Sequence, residues 1–420
     1  MSVHSIVHYY IAECEKFISM AKESRSYFLN RTCFTRDRKM GFENLVIFML
    51  NLVKESTSLA LERYFDKTNQ EITMTQQSFS ESRKKIKSEF FRDLFRVSVQ
   101  TAYKGSCETW NGYRVSAIDG STIALPSCPE LLEYFGGCGR GAHSATGRTS
   151  LLYDVLNKVV MDAELTSLSI DERTLAKKHI ETFARIEKRE KEIVLFDRGY
   201  PAWQLIGALA SKGIHFLMRV PRNFNPVIDR TTSQDSVFSI EREDATHTLR
   251  VIKFVLPCGE EETLLTDVLD EALTAKDFET LYFYRWPIET KYDELKNKLE
   301  LENFSGRSVC TILQDFFTTM FMSNLTAAVW WEAKEEADKL REGKSNKFEY
   351  IPNMNHAIGV MRDRLVRVLI SSDPETRSDQ LLKIIRSVTR NVIPVRPDRS
   401  CPRNSSPRKS KFHHNRKSNL

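Results

Sequence analysis

The sequence contains no apolar segment long enough to cross a lipid bilayer. Its longest apolar run is LVIFMLNLV at positions 45–53, and a membrane-spanning helix needs roughly 20 such residues. The N-terminus also lacks the pattern of a signal peptide, because Glu13, Glu15 and Lys16 interrupt it before any long apolar stretch. We therefore expect a cytoplasmic protein without a membrane partner.

Closely spaced cysteine pairs are absent as well. The eight cysteines are scattered along the chain, and none belongs to a CxxC or CxH pair. Such pairs are typical of zinc sites, and dense cysteine frameworks are typical of small secreted domains. The sequence therefore argues against both, and we interpret most of the cysteines as small apolar residues of the interior.

The composition that remains is typical of a soluble globular protein. The chain has 420 residues, of which 41% are hydrophobic and 28% are charged. This length is sufficient for roughly two or three domains with a sizeable core.

Positive charge is concentrated at the C-terminal end. Residues 396–420 carry eight Lys or Arg against a single acidic residue, Asp398, whereas the net charge of the whole chain is +6. This segment has too few apolar residues to bury the surface that folding requires, so we predict a disordered basic tail. Binding to a polyanion and a merely solubilising role both remain open.

Residues 1–110 show apolar residues at the three- and four-residue spacing of helices. Within them, EITMTQQSFSESRKKIKSEFFRDLF (71–95) predicts a cap or turn at positions 73–75, followed by a helix with a polar face. That face contains Gln76, Gln77, Ser80, Arg83, Lys84 and Lys87. Such side chains reach bases and phosphates from a helix in a DNA major groove. A solvated basic face would have the same composition.

From about residue 111 the pattern changes to short strands that alternate with helices. YRVSAIDGSTIALP (113–126) predicts two strands joined by a tight turn at positions 119–121. EIVLFDRGY (192–200) predicts a buried parallel strand with Asp197 at its C-terminal end. The weakly alternating segment 220–265 predicts a β-rich insertion, and helices resume at about 270. The fold class is therefore α/β, with helical N- and C-terminal parts.

Three acidic residues are candidates for chemistry. Asp119 and Asp197 follow predicted strands, and Glu289 lies in a predicted helix. Sites in α/β folds assemble at the C-terminal edge of the sheet, where such side chains converge. Converging carboxylates suit Mg²⁺, and a pair of ions can drive phosphodiester displacement. Each aspartate taken alone is better explained by an ordinary turn.

The stretch YFYRWPIETKYDELKNK (282–298) places polar residues at regular intervals. At 100° per residue, Tyr282, Arg285, Glu289 and Lys296 fall on one stripe about 60° wide. Pro287 should start or kink a helix, so a shared face is firm only for Glu289 and Lys296, about 10 Å apart. We interpret Glu289 as a metal ligand and the other three as phosphate contacts. An amphipathic helix with solvated charges is the alternative.

The order Tyr282, Arg285, Glu289 and Lys296 resembles the Tyr-Arg-Glu-Lys signature of DDE transposases of bacterial insertion sequences, especially the insertion-sequence-four family. AIDGS (117–121) is similar to the first-aspartate motif of that family. LFDRGY (195–200) and FLMR (216–219) are similar to its second-aspartate motif. The resemblance covers roughly residues 113–330.

The resemblance implies a ribonuclease-H-like catalytic core with an inserted β subdomain. Combined with the sequence patterns, it predicts four regions, which are a helical domain that binds DNA ends (1–110), the catalytic core (111–330) with a β-rich insertion (219–275), C-terminal helices (331–395) and the basic tail (396–420).

The resemblance also implies a transposase that binds the terminal repeats of an insertion sequence, cleaves the ends and joins them to target DNA. Asp119, Asp197 and Glu289 would be catalytic ligands of two Mg²⁺ ions, with Mn²⁺ able to substitute. The DNA-binding residues would be Tyr282, Arg285, Lys296 and Arg219, together with Arg83, Lys84 and Lys87 of the N-terminal domain. The expected partner is double-stranded DNA, bound by a homodimer at the bacterial nucleoid.

Two alternatives remain open at this stage, a DNA-binding derivative whose chemistry is unused and a metal-dependent nuclease of the same fold. Intact acidic positions and an intact lysine disfavour the first, and only a strand-transfer assay separates the second. Some relatives excise through a DNA hairpin and stack a flipped base on a tryptophan of the insertion. This chain has no Trp between Trp203 and Trp286, which argues against a hairpin route, although Phe224, Phe238 or Phe254 could stack instead.

Deleting residues 396–420 should leave the melting temperature nearly unchanged and weaken sequence-independent DNA affinity. Each neutralised phosphate contributes about −0.9 to the slope of log K against log salt, so three or four contacts would make the slope shallower by roughly three. DNA titrations of both proteins over a salt series measure this slope. An unchanged slope would show that the tail does not bind DNA, and a large loss of thermal stability would show that it is folded.

Overall fold

The computed structural model describes residues 5–36, 40–51, 54–69, 71, 74–105, 107–138, 144–184, 186, 191–242, 245–256, 259–345 and 347–396. Apart from Arg396, the basic tail predicted at 396–420 lies outside the described residues, so its disorder stays a prediction.

About half of the described chain is helical. The helices are α1 (Ile6–Ser24), α2 (Phe42–Leu50), α3 (Thr57–Thr68), α4 (Gln76–Arg83), α5 (Ser88–Ala102), α6 (Pro129–Phe135), α7 (Glu172–Phe183), α8 (Trp203–Lys212), α9 (Pro226–Arg230), α10 (Ala275–Phe283), α11 (Pro287–Asp293), a π-helical turn (Glu294–Lys298), α12 (Val309–Lys339), α13 (Met354–Ile370) and α14 (Pro374–Arg390).

The strands form one large sheet and one short pair. They are β1 (Tyr113–Ala124), β2 (Thr146–Asp154), β3 (Val159–Ser167), β4 (Lys191–Phe196), β5 (His215–Arg219), β6 (Asp235–Arg242), β7 (Ala245–Val255), β8 (Glu261–Thr266), β9 (Tyr350–Pro352) and β10 (Val392–Pro394). The large sheet has the order β3-β2-β1-β4-β5-β8-β7-β6, and β9 pairs with β10. Strands β1, β4 and β5 run parallel, whereas β5, β8, β7 and β6 pair antiparallel.

The chain divides into two compact units. The helical unit comprises residues 1–105, 124–146 and 294–420, and the sheet unit comprises residues 106–123 and 147–293. Both are discontinuous in sequence. The domain boundaries drawn from the sequence stay a prediction.

The core of the sheet unit is built on the strands that the apolar runs predicted. Residues 113–118 of β1 and residues 192–196 of β4 are all buried, as expected for parallel strands covered on both faces. Helix α7 packs on β3 and α8, and α8 packs on β5. Both helices carry local caps, because the Asp171 side chain accepts from the backbone N–H of Thr174 at the start of α7 and Gly213 ends α8 in the left-handed conformation.

The tight turn predicted at residues 119–121 is wrong. Strand β1 runs without interruption from Tyr113 to Ala124, so Asp119 and Gly120 lie within a strand. An Asp-Gly pair favours a turn by its local preferences, but glycine also occurs in strands where another group approaches the backbone closely.

The segment 220–265, predicted to be β-rich, contains strands β6 and β7 and most of β8, whereas its assignment as an inserted subdomain stays a prediction. Its strands β6, β7 and β8 extend the large sheet, because Leu217 of β5 pairs with Thr266 of β8. The result is a mixed α/β architecture with an eight-stranded sheet.

The long helix predicted over residues 76–95 is interrupted. Helix α4 ends at Arg83 and α5 begins at Ser88, so Lys84 and Lys87 lie in the connecting turn and share no helix face. Lys84 is exposed and pairs with Glu81. Lys87 is half-buried, and its ammonium group donates to the carbonyl oxygen of Ser26 at 3.0 Å.

Arg83 does not lie on a polar surface face, which corrects the sequence interpretation. Its side chain is buried in the helical unit, where it donates to Gln314 at 2.9 Å, to the carbonyl oxygen of Thr311 at 3.0 Å and to Asp315 at 2.7 Å, and it also contacts Ser305. Because its guanidinium is committed to these internal partners, Arg83 is not available to DNA.

Helix α12 is central to the helical unit. Every residue from Phe316 to Trp330 is buried, as expected for a helix that is surrounded by others, and α12 packs on α1, α2, α5, α13 and α14. Neither α12 nor any other helix of the described residues is long and apolar enough to cross a membrane.

Replacing Arg83 with Met should lower the free energy of unfolding by about 3–5 kcal/mol, because Asp315 would keep a buried charge without its partner. The matched control is Lys84→Met at the adjacent exposed position, which should change stability by no more than about 0.5 kcal/mol. Urea unfolding followed by tryptophan fluorescence measures both. A mild effect at Arg83 would contradict its placement in the core.

Candidate active site

Asp119 lies within strand β1, and Asp197 directly follows the neighbouring strand β4. Strands β1 and β4 are parallel, with Ala117 opposite Leu195, and continuing this register by two residues brings Asp119 opposite Asp197. The register between β4 and β5 likewise brings Arg219 beside Asp197. The parallel strands therefore align two carboxylates and a guanidinium at one edge of the sheet.

Tyr282 fixes the side chain of Asp197. It lies near the end of α10, and its buried hydroxyl donates to Oδ1 of Asp197 at 3.2 Å. Burial and the charge of Asp197 both raise the pKa of Tyr282, so this hydroxyl stays protonated and remains a donor.

Arg285 connects the end of α10 to the start of α11. Its Nη2 atom donates to Oε1 of Glu289 at 3.0 Å. Its guanidinium carbon lies 5.9 Å from the ring centre of Tyr282 and 5.1 Å from that of Trp286, within the range of cation–π attraction. Helix α11 begins at Pro287, so the predicted effect of this proline is confirmed.

The carboxyl group of Asp119 has an unusual electrostatic environment. Its pKa is raised to about 6, mainly by burial and to a smaller extent by the charges of Glu172 and Glu289, although a hydrogen bond from the Gly120 amide and the charge of Arg285 act in the opposite direction. The pKa of Arg285 is raised although burial opposes this, because Tyr282, Glu289 and Asp197 stabilise its charge. The positive charge of Arg285 thus interacts with all three predicted metal ligands, Asp119, Asp197 and Glu289.

The structure also brings two residues to the site that the sequence did not single out. Glu172, the first residue of α7, accepts a hydrogen bond from Arg148 of β2 at 3.0 Å. Their neighbour is Gly120, where a Cβ atom would lie 2.8 Å from Oε1 of Glu172. In the sequence, the glycine of the AIDGS motif was the signal that could have indicated a close neighbour, because only a residue without a Cβ atom leaves room for the Glu172 side chain here.

The two predicted DNA contacts Arg219 and Lys296 belong to different compact units of the chain. Arg219 forms an ion pair with Glu262 within the sheet unit. Lys296 belongs to the π-helical turn of the helical unit, and burial lowers its pKa. A π-helix closes its hydrogen bonds from residue i to i+5, as Leu299 to Glu294 does here at 2.9 Å. The helical-face argument that linked Lys296 to Glu289 therefore does not hold.

Of the phenylalanines considered for stacking, Phe224 packs on an aromatic neighbour. Its ring lies 5.2 Å from that of Trp203 at an interplanar angle of 23°. Arg242 covers Trp203 at 5.9 Å. Phe224 is thus part of a protein stack with Trp203.

The residues of the site fit a hydrated divalent cation. Among the described residues, no three His, Cys, Asp or Glu side chains are grouped closely enough to enclose a metal ion. Mg²⁺, however, is usually bound by one or two carboxylates together with waters and substrate phosphates, which Asp119 and Asp197 could supply. Beside them lies the buried hydroxyl of Tyr200, which has no hydrogen-bond partner among the described residues.

Comparison with known proteins places the chain in a family. The family described as "Transposase DDE domain" matches residues 110–325, more than half of the chain. The chain belongs to this transposase family. The matched segment includes Asp119, Asp197 and Glu289, the candidate acidic residues of this DDE transposase.

Other comparisons are more distant. No curated protein sequence matches the chain. Among solved structures, the chain is similar to a piggyBac transposase synaptic complex with hairpin DNA, determined by cryo-electron microscopy. The TM-score is 0.46 and the sequence identity is 9%, over 89% of this chain and 82% of that chain.

Replacing Asp119 with Asn should raise the free energy of unfolding at pH 7 by up to about 3 kcal/mol in metal-free buffer. The folded-state pKa of about 6 exceeds the usual value of 3.8, so the folded protein loses stability as the pH rises between these values. The neutral Asn avoids that loss.

Urea unfolding of both proteins between pH 4 and pH 7 measures this effect. The advantage of the variant should shrink as the pH falls and should vanish near pH 4. A variant that is less stable than the wild type at pH 7 would show that the charge of Arg285 outweighs the cost of burying Asp119.

Proposed function

We propose that this chain is a transposase of the insertion-sequence-four type, which binds the terminal repeats of its element, cleaves the ends and joins them to target DNA. The observation that carries this proposal is the buried Arg285, which donates to Glu289 and interacts electrostatically with Asp119 and Asp197 within the sheet unit. Membership of the DDE transposase family supports the same reaction class. The ribonuclease-H-like character of the core is part of the proposal.

Asp119, Asp197 and Glu289 would hold two Mg²⁺ ions, for which Mn²⁺ could substitute. Bound ions supply activation of the attacking oxygen and stabilisation of the leaving oxygen in phosphodiester transfer. Oxygen donors of aspartate and glutamate are the ligands that such hard cations prefer.

The neighbouring side chains would position these ligands and the DNA strand. Tyr282 orients Asp197 through its hydroxyl, and Arg285 orients Glu289 through one amino group. The Nε atom of Arg285 has no partner among the described residues, so this buried donor could bind a phosphate oxygen of the substrate. Charged hydrogen bonds of this kind are stronger than neutral ones.

The remaining parts of the proposal concern DNA binding and assembly. Arg219 and Lys296 would contact the strand, and Lys84 and Lys87 would contribute to binding of the element's ends by residues 1–110. Arg83 is not included, because its burial removes it from the surface. Double-stranded DNA is the proposed partner of a homodimer in the bacterial cytoplasm.

Replacing Glu289 with Gln should reduce cleavage and strand transfer by about two orders of magnitude or more, because it removes a charged ligand at nearly constant shape. Binding of the element's ends should persist. The matched control is Glu279→Gln, which changes a carboxylate of α10 that pairs with Lys276 and should leave both reactions intact.

An assay with labelled element ends, supercoiled target and Mg²⁺ measures binding, cleavage and joining separately. Normal cleavage by Glu289→Gln would exclude this glutamate from the site. Wild-type protein that cuts without joining would indicate a nuclease, and end binding without any cutting would indicate a DNA-binding derivative.

A further inference from the structure

A fourth carboxylate lies next to the proposed cation site. Glu172 begins the twelve-residue helix α7, and its side chain lies directly over Gly120, so close that a Cβ atom there would be 2.8 Å from Oε1 and 2.9 Å from Cδ. Gly120 follows Asp119 within β1. Glycine at this position therefore allows Glu172 to approach the candidate ligand Asp119.

Arg148 orients this carboxylate. Its Nη1 atom on β2 donates to Oε1 of Glu172 at 3.0 Å. The Glu172 side chain is nevertheless 42% exposed to solvent, compared with 23% for the Arg148 side chain. The carboxylate is thus held in place and remains accessible to solvent.

A second observation independently points to a ligand. Tyr200 is only 2% exposed, and its hydroxyl has no hydrogen-bond partner among the described residues. This hydroxyl lies within electrostatic range of Asp119, Glu172 and Asp197. A buried polar group without a partner costs about 1–3 kcal/mol. Such a cost is expected where a bound group satisfies the hydroxyl during function.

The location of Tyr200 and the charges near it indicate which kind of group its hydroxyl would bind. Tyr200 follows Asp197 in the turn after β4, where its backbone N–H donates to the Asp197 carbonyl oxygen at 3.1 Å. The negative charges of Asp119, Glu172 and Asp197 all act on this hydroxyl, so an anion is disfavoured and a cation is favoured. A hydrated divalent cation keeps several waters, and these waters donate hydrogen bonds to carboxylate and hydroxyl oxygens.

We propose that Glu172 and Tyr200 bind the water shell of a divalent cation held by Asp119 and Asp197. The Glu172 carboxylate and the Tyr200 oxygen each accept a hydrogen bond from a water of that shell. Neither residue replaces Asp119, Asp197 or Glu289 as a direct ligand. This assignment rests on the proposed metal-dependent function and adds two positioning residues to it.

Partners in the outer shell of a metal site typically contribute 10–100-fold to its affinity. We therefore expect Glu172→Gln and Tyr200→Phe to weaken Mn²⁺ binding by about 10-fold each. Glu172→Gln keeps a hydrogen-bonding oxygen for Arg148 but removes the charge. The matched controls are Glu181→Gln, which changes an exposed carboxylate of the same helix, and Tyr134→Phe, which changes an exposed tyrosine.

The full-length protein is titrated with Mn²⁺ alone, and the electron paramagnetic resonance signal of free Mn²⁺ gives the bound fraction. Melting temperatures in metal-free buffer provide a second measurement. Tyr200→Phe should melt higher than the wild type, because it removes an unsatisfied buried hydroxyl, while binding Mn²⁺ more weakly. A purely structural role for this hydroxyl predicts a lower melting temperature.

Asp119→Asn and Asp197→Asn separate the inference from the proposed function. If both weaken Mn²⁺ binding while Glu172→Gln and Tyr200→Phe bind like the wild type, the inference is overturned and the proposed site stands. If all four variants bind like the wild type, or if the wild type binds no Mn²⁺, both are overturned.

Discussion

The candidate site depends on the buried guanidinium of Arg285. Asp119, Asp197 and Glu289 belong to one compact unit, and their negative charges would repel one another without a cation between them. Arg285 supplies that charge, because it lowers the pKa of Asp119, donates to Glu289 and is itself stabilised by Asp197. Its burial against the ring of Tyr282 reduces the screening of these interactions by water.

A buried chain of hydrogen bonds supports the backbone at Asp119. Ser150 donates to the Asp119 carbonyl oxygen at 3.3 Å, His179 contacts Ser150 at 3.0 Å, and Asp162 contacts the other ring nitrogen of His179 at 2.8 Å. Tyr292 donates to the same carbonyl oxygen at 2.9 Å. A serine, a histidine and an aspartate in this order resemble a nucleophilic triad. Here, however, the serine is fully buried, so the chain fixes the strand that presents Asp119.

The sequence predicted those elements whose causes are local. Residues 193–196 of strand β4 form an apolar run, and α7 and α8 carry recognisable caps at Asp171 and Gly213. The glycine after Asp119 was misread because its cause is tertiary, namely the approach of Glu172 from another element. Arg83 was misread for the same reason, since its partner Asp315 is 232 positions away. Polarity alone does not distinguish a solvated arginine from one that is paired in the core.

The spacing of Tyr282, Arg285 and Glu289 has a different cause from a shared helix face. Helix α10 ends before Arg285 and α11 begins after it, at Pro287. At this junction the Arg285 amide donates to the Tyr282 carbonyl oxygen at 3.0 Å, and the Ile288 amide donates to the Arg285 carbonyl oxygen at 3.2 Å. Arg285 therefore lies on a turn that directs its side chain both over the ring of Tyr282 and towards Glu289 in the next helix. Pro287 has no backbone N–H and begins the second helix of this junction, so Arg285 lies between Tyr282 in one helix and Glu289 in the next.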